Sequence, residues 1–225
     1  MTQYILSFPP MLLGAQLLLT LILIKGDLCP GQRGRLHKVL LYLAVLWVLP
    51  ALTMSYYMFL ISAIVLLFCS QVKMKKTRDE GPMWLMHGAN VVATALVLWQ
   101  MWLHGQGGMA GLWLVQLFLL GAALTHVLLV TARSRLQAFH QLLPLVGIIS
   151  GMGLALVVLL LAYQLDTPSL NQLTQRILVA LSLLVTAVII WAWHLFKKST
   201  VDKIQLWVAL LCLIACSGQL VYLLP

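Results

Sequence analysis

Six histidines, at positions 37, 87, 104, 126, 140 and 194, are the side chains of this sequence best suited to proton or metal chemistry. Imidazole titrates near neutral pH and serves as an axial ligand of haem iron. His87, His126 and His194 fall toward the same end of three long apolar runs. Two histidines from different helices at matching depth could hold a haem b; the alternative is interfacial histidines that bond to neighbours or reach toward headgroups. His37 and His140 stand beside basic residues where apolar runs begin, positions expected to be solvated. His104 differs, closing an apolar run before a glycine-rich stretch. Arg176 is the second candidate, with Asp166 ten residues earlier across a polar segment. A guanidinium offers fixed donors and stays charged. It suits a quinone carbonyl, a docked partner or, more simply, a lipid phosphate. Cys29, Cys69, Cys212 and Cys216 form neither a CxxC pair nor a zinc-type Cys/His spacing.

The composition defines the elements that must position these residues. Of 225 residues, 62% are apolar and 8% charged, whereas a soluble domain carries about three times that charge density. Several runs exceed the roughly 20 residues that cross a bilayer core as helix, and lipid tolerates no unpaired backbone. The alternation of a lipid-facing barrel strand is absent. The expectation is an all-α, polytopic membrane helix bundle, residues 1–225 forming one integral membrane domain. Six spans follow from the apolar runs: about 4–24, 83–104, 111–132, 141–164, 174–197 and 203–223. The first lacks a preceding Lys or Arg and a cleavage site, which reads as a retained helix. Residues 37–72 as one helix would be about 54 Å long. Two shorter helices, about 37–51 and 54–72, are expected instead, with Pro50 to Thr53 as the turn.

Charge selects eight helices over seven. With eight, every Lys and Arg except Arg176 falls on one side of the membrane, which the positive-inside rule makes cytoplasmic. Both termini then lie on the periplasmic side of a bacterial inner membrane. The formal charge of +9 reflects these basic loops rather than a nucleic-acid partner. All acidic residues lie in loops, which argues against proton pumps and ion-coupled transporters. Trp99, Trp102 and Trp113 at one boundary, with Trp84, Trp191, Trp193 and Trp207 at the other, form an aromatic belt in the lipid bilayer. Gly147, Gly151 and Gly153 permit close helix packing.

The order of features also resembles the membrane-anchor subunit of the dimethyl sulfoxide reductase (molybdopterin oxidoreductase) family. The resemblance runs through Lys25-Gly26-Asp27-Leu28, Leu46-Trp47-Val48-Leu49, Leu142-Leu143-Pro144, Gln175-Arg176-Ile177-Leu178 and Gly218-Gln219-Leu220. It implies an anchor that holds an iron–sulfur subunit and a molybdopterin catalytic subunit on the outer face. It further implies oxidation of menaquinol, with no haem or metal bound firmly by the anchor itself. Arg176 and Asp166 would then lie on the docking and quinol side. Family members are longer, with a histidine in the loop between helices two and three and a Ser-Asn-Glu-Ile run opening helix three. Here the loop is reduced and Ser55-Tyr56-Tyr57-Met58 stands in that place. Quinol oxidation needs proton acceptors, for which Tyr56, Tyr57 and His104 are the substitutes; an anchor that only docks partners, or a scaffold subunit, are the alternatives. On the eight-helix reading, a reporter fused after Pro225 is active outside the cytoplasm; cytoplasmic activity overturns that orientation.

Overall fold

The computed structural model describes residues 5–26, 28–72, 81–104, 109–133, 137–197 and 201–223. Among them, eight α-helices follow in order: α1 (Phe8–Lys25), α2 (Pro30–Thr53), α3 (Phe59–Gln71), α4 (Met83–His104), α5 (Met109–Thr131), α6 (Gln137–Gln164), α7 (Thr167–Lys197) and α8 (Lys203–Leu220). Short 3-10 turns at Tyr56–Met58 and Val221–Leu223 precede α3 and follow α8. No strand occurs among the described residues. Six helices, all but α3 and α4, are long and apolar enough to cross a membrane. With its 3-10 turn, α3 makes a shorter apolar segment, Tyr56–Gln71. The 22 residues of α4 reach about 33 Å.

The stretch from residue 37 to 72 divides into two antiparallel helices, but not where the proline suggested. Pro50 sits inside α2, which runs on to Thr53. The Pro50 carbonyl accepts from the N–H groups of both Met54 (2.9 Å) and Ser55 (3.2 Å), and the chain reverses there. Proline's missing N–H costs the helix one bond but need not end it when a neighbouring helix packs on the site. Ser62 Oγ donates to the Ala44 carbonyl at 2.8 Å, tying α3 to α2. The helix also starts earlier than expected, at Pro30 rather than His37, because proline at the first helical position is already set for helix. Likewise α7 begins at Thr167, so residues 167–173 are helical and not a polar loop.

The packing is organised around α5. Its residues are buried without a break from Leu119 to Leu129, and α1, α6 and α8 all lie against it. The α1 contact is the closest. A Cβ added at Gly14 would lie 2.0 Å from the Leu117 carbonyl oxygen, and one at Gly121 would lie 2.7 Å from Gly14 Cα. Two backbones therefore touch, as small residues allow between membrane helices. By contrast α6 presents an apolar stripe outward, with Leu142, Leu145, Ile149, Met152, Leu156 and Leu159 all exposed at helical spacing.

Gly14→Val should cost about 1–3 kcal/mol through overpacking, read as earlier unfolding in a detergent titration. Gly88 has nothing within 4 Å of an added Cβ, so Gly88→Ala serves as the neutral or slightly stabilising control. Equal stability of the two variants would contradict the crossing.

Candidate functional site

Three of the histidines meet at the end of the bundle that carries the basic residues. His126 lies near the end of α5, His140 in the first turn of α6 and His194 in the last turn of α7. The rings of His126 and His140 are 5.2 Å apart between centroids, those of His126 and His194 5.5 Å. Trp191, one turn before His194, completes the group: its indole Nε1 donates to His126 Nδ1 at 2.8 Å. An indole nitrogen only donates, so His126 Nδ1 carries no proton. In the neutral ring the proton is then on Nε2, which lies 3.1 Å from His140 Nδ1 and donates to it. His194 turns both nitrogens to carbonyl oxygens, Nδ1 at 2.9 Å from Trp191 and Nε2 at 3.2 Å from His140. A neutral imidazole satisfies one of these acceptors; an imidazolium satisfies both. His126 and His194 are buried and His140 is half-buried.

Gly147 makes room for this arrangement. A Cβ there would lie 2.1 Å from a Trp191 ring carbon, so the indole packs directly on the α6 backbone. The three neighbouring glycines of α6 thus have distinct uses: Gly147 seats Trp191, Gly151 faces Val188 and Leu184, and Gly153 faces Val115. His87 is exposed on α4 and takes no part in the cluster. As packed, the set does not fit an axial haem pair. Both His126 nitrogens are engaged by Trp191 and His140, and those of His194 face backbone carbonyls. His37 and His140 are not solvated as expected. His37 is fully buried against Phe68, with ring centroids 5.5 Å apart.

The opposite end holds the remaining candidates, in separate places. Tyr56 and Tyr57 lie at the turn between α2 and α3 with ring centroids 4.1 Å apart, and both are exposed. A phenol hydroxyl can donate a hydrogen bond as well as accept one. His104 is the last residue of α4, and its side chain lies outside the described residues. Asp166 and Arg176 belong to one helix end, about 15 Å apart along the axis. The Arg176 guanidinium instead stacks over the Tyr222 ring, 3.8 Å from its centroid. Tyr222 follows the end of α8, so α7 continues about 14 Å beyond that level and forms a wall beside Arg176. Leu165, Leu173 and Ile177 brace that wall against the core. Among the described residues Arg176 makes no ion pair.

One buried network escaped the sequence reading altogether. Trp47 Nε1 donates to Gln16 Oε1 at 2.8 Å, Gln16 Nε2 to Asn90 Oδ1 at 3.0 Å, and Asn90 Nδ2 to Thr20 Oγ1 at 3.1 Å. It joins α1, α2 and α4. The available signal was two amides, Gln16 and Asn90, within apolar spans, where polar groups seek partners on other helices.

This all-helical build agrees with what known proteins show. A family of integral membrane domains matches residues 2–221, and the chain belongs to that family. It is similar to an uncharacterised protein of Haemophilus influenzae, 28% identical over 211 residues that cover 87% of this chain and 77% of the relative. No solved structure matches the chain.

Gln16→Leu leaves the Trp47 indole without its acceptor and Asn90 with Thr20 alone, and should cost about 1–3 kcal/mol. Trp191→Phe, which keeps one aromatic ring and removes the N–H donor, should cost at least about 1 kcal/mol. Detergent unfolding curves check the order; a larger loss from Trp191→Phe than from Gln16→Leu would reverse the ranking of the two networks.

Proposed function

We propose that this protein is the membrane-anchor subunit of a molybdopterin oxidoreductase complex, spanning the bacterial inner membrane with both termini periplasmic. The observation that carries the reading is Arg176. It is the one Lys or Arg set apart from the basic end by the eight-helix order. Its guanidinium is held on Tyr222 beside the projecting wall of α7 and has no carboxylate of its own among the described residues. A fixed, unpaired guanidinium recognises a carboxylate in planar fashion. A partner with an acidic group at its docking surface, here an iron–sulfur subunit carrying a molybdopterin subunit, completes it. The segments resembling the dimethyl sulfoxide reductase anchor include Arg176 itself, which supports the same assignment.

The reading extends to menaquinol oxidation at this rim. The Tyr56 and Tyr57 phenols are donors and suit a quinone oxygen, so acceptance of quinol protons falls to His104. No firmly bound cofactor of the anchor itself is required, since quinol is substrate.

The test is a mild-detergent affinity purification of the tagged chain, with partners identified by mass spectrometry. Wild type should retain iron–sulfur and molybdopterin subunits, and Arg176→Ala should lose them by at least about tenfold, as expected for a charged contact worth roughly 1.4 kcal/mol or more. His104→Ala should retain partners and lose quinol-linked electron transfer. A wild-type chain that purifies without redox subunits overturns the proposal.

A further inference from the structure

The lipid-facing surfaces of the helices differ in length. On α2 the exposed side chains run from Lys38 through Tyr42, Val45 and Leu52 to Thr53, about 22 Å of helix. On α3 and the turn before it they run from Tyr56 and Tyr57 through Leu60 and Leu67 to Gln71, about 23 Å. Across the bundle, the exposed face of α6 from Leu142 to Tyr163 and that of α7 between Arg176 and Lys197 are each about 31 Å long. A bilayer core of about 30 Å matches the second pair and not the first. Tilt only shortens what a helix spans, so the α2–α3 hairpin falls short of that core by at least about 7 Å.

The shortfall lies at one end. Cys69 Sγ donates to the His37 carbonyl at 3.9 Å, which sets Lys38, Ser70 and Gln71 at one level. Arg35, one turn before Lys38, donates to the Arg133 carbonyl at the close of α5. His194, one turn before Lys197, meets His126 of that same helix. Lys38 and Lys197 thus stand at similar depth, each about 5 Å inward of Arg133. For the other end, the bonds from Trp47 through Gln16 to Asn90 give α2 and α4 a common mark. From it α2 continues about 9 Å to Thr53, whereas α4 continues about 14–18 Å to the exposed, paired rings of Trp99 and Trp102. Tyr56 and Tyr57, also paired and exposed, sit at the lower level. Amphipathic aromatic rings gather where headgroups meet hydrocarbon, so the two pairs mark that boundary at two heights.

We propose that the α2–α3 hairpin is fitted to a locally thinned bilayer: phospholipid on this flank brings its headgroups down to Tyr56 and Tyr57, below their level beside α6 and α7. The occupant of the step is lipid with short or disordered acyl chains. A flat bilayer would place the chain reversal from Met54 to Met58, both phenols and the Thr53 hydroxyl in hydrocarbon, where irregular lipid-exposed backbone is not tolerated. Sliding the hairpin toward the far side would draw Lys38, Ser70 and Gln71 into hydrocarbon instead, and the bond from Arg35 to Arg133 holds it in place. A lysine stem can reach toward headgroups, but only at the end where no length is missing. Thinning carries a modest cost for each ångström, so membranes of shorter acyl chains suit this flank better. The inference rests on helix lengths and levels alone and is independent of the docking at Arg176.

Fluorine NMR of the full chain, labelled with 5-fluorotryptophan in phosphatidylcholine nanodiscs, reads the local depth. Leu60→Trp and Leu67→Trp each add one resonance at an exposed site of α3. Because these sites lie about 5 Å from Tyr57 and about 6 Å from Gln71, a nitroxide on the lipid headgroup should broaden both added resonances alike, within about twofold. In a flat bilayer the Leu60→Trp site lies near the bilayer centre. Its resonance is then broadened by a nitroxide at the acyl-chain terminus and hardly by the headgroup label, which overturns the proposal. Broadening by a water-soluble paramagnetic agent alone marks a step filled with water rather than lipid, and overturns it too. Should Leu60→Trp not fold, Phe59→Trp at the same level carries the same test.

Discussion

Everything in this bundle is arranged around the contact between Gly14 and Gly121, where α1 and α5 meet backbone to backbone. Membrane helices gain no hydrophobic drive from association, because lipid tails are as apolar as leucine. What favours a fixed arrangement is close packing and polar pairing. The glycine crossing supplies the first, bringing the long apolar surfaces of α1 and α5 within dispersion range along their length. Once α5 is fixed against α1, its remaining faces receive α6 and α8. The outward stripe of α6 is left to the lipid.

Polar pairing then divides between two places. Around α1, α2 and α4 it is amide, indole and hydroxyl chemistry, linked in one chain from Trp47 to Thr20. Around α5, α6 and α7 it is imidazole and indole chemistry, running from Trp191 through His126 to His140. The two differ less in energy than in kind. An amide network has one good arrangement, whereas a histidine network has as many as its protons permit.

The helix count was legible in the sequence because charge, unlike hydropathy, alternates with topology, and it divided the long segment around Pro50 correctly into two. The position of the turn was not legible: Pro50 is a helix residue whose carbonyl collects the reversing N–H groups of Met54 and Ser55. The matched depth of His126 and His194 was readable from helical spacing. That His140 and Trp191 join them was not, since it depends on which faces of α6 and α7 turn inward, a matter settled by Gly147. His37 read as solvated because basic residues flank it, yet α3 covers it. Arg176 stood out by its distance from the basic loops, but its partner Tyr222 follows α8 and no local pattern links the two. Gln16 and Asn90 stand as amides within apolar spans, but the partners each would find on another helix follow from the packing and not from spacing along the chain.

The amide network also has a dimension in time. Gln16 and Asn90 are separated by 74 residues, and at about 5–20 residues per second synthesis needs roughly 4–15 s to supply the second after the first. During that interval α1 is already made, and Trp47, 31 residues downstream, reaches the Gln16 oxygen well before Asn90 reaches its nitrogen. The first helix therefore acquires its partners in chain order, α2 and then α4. Until α4 arrives, one end of a buried amide must be satisfied by water or by the insertion machinery. Whatever assists the birth of this protein has to remain with α1 until the fourth helix is complete.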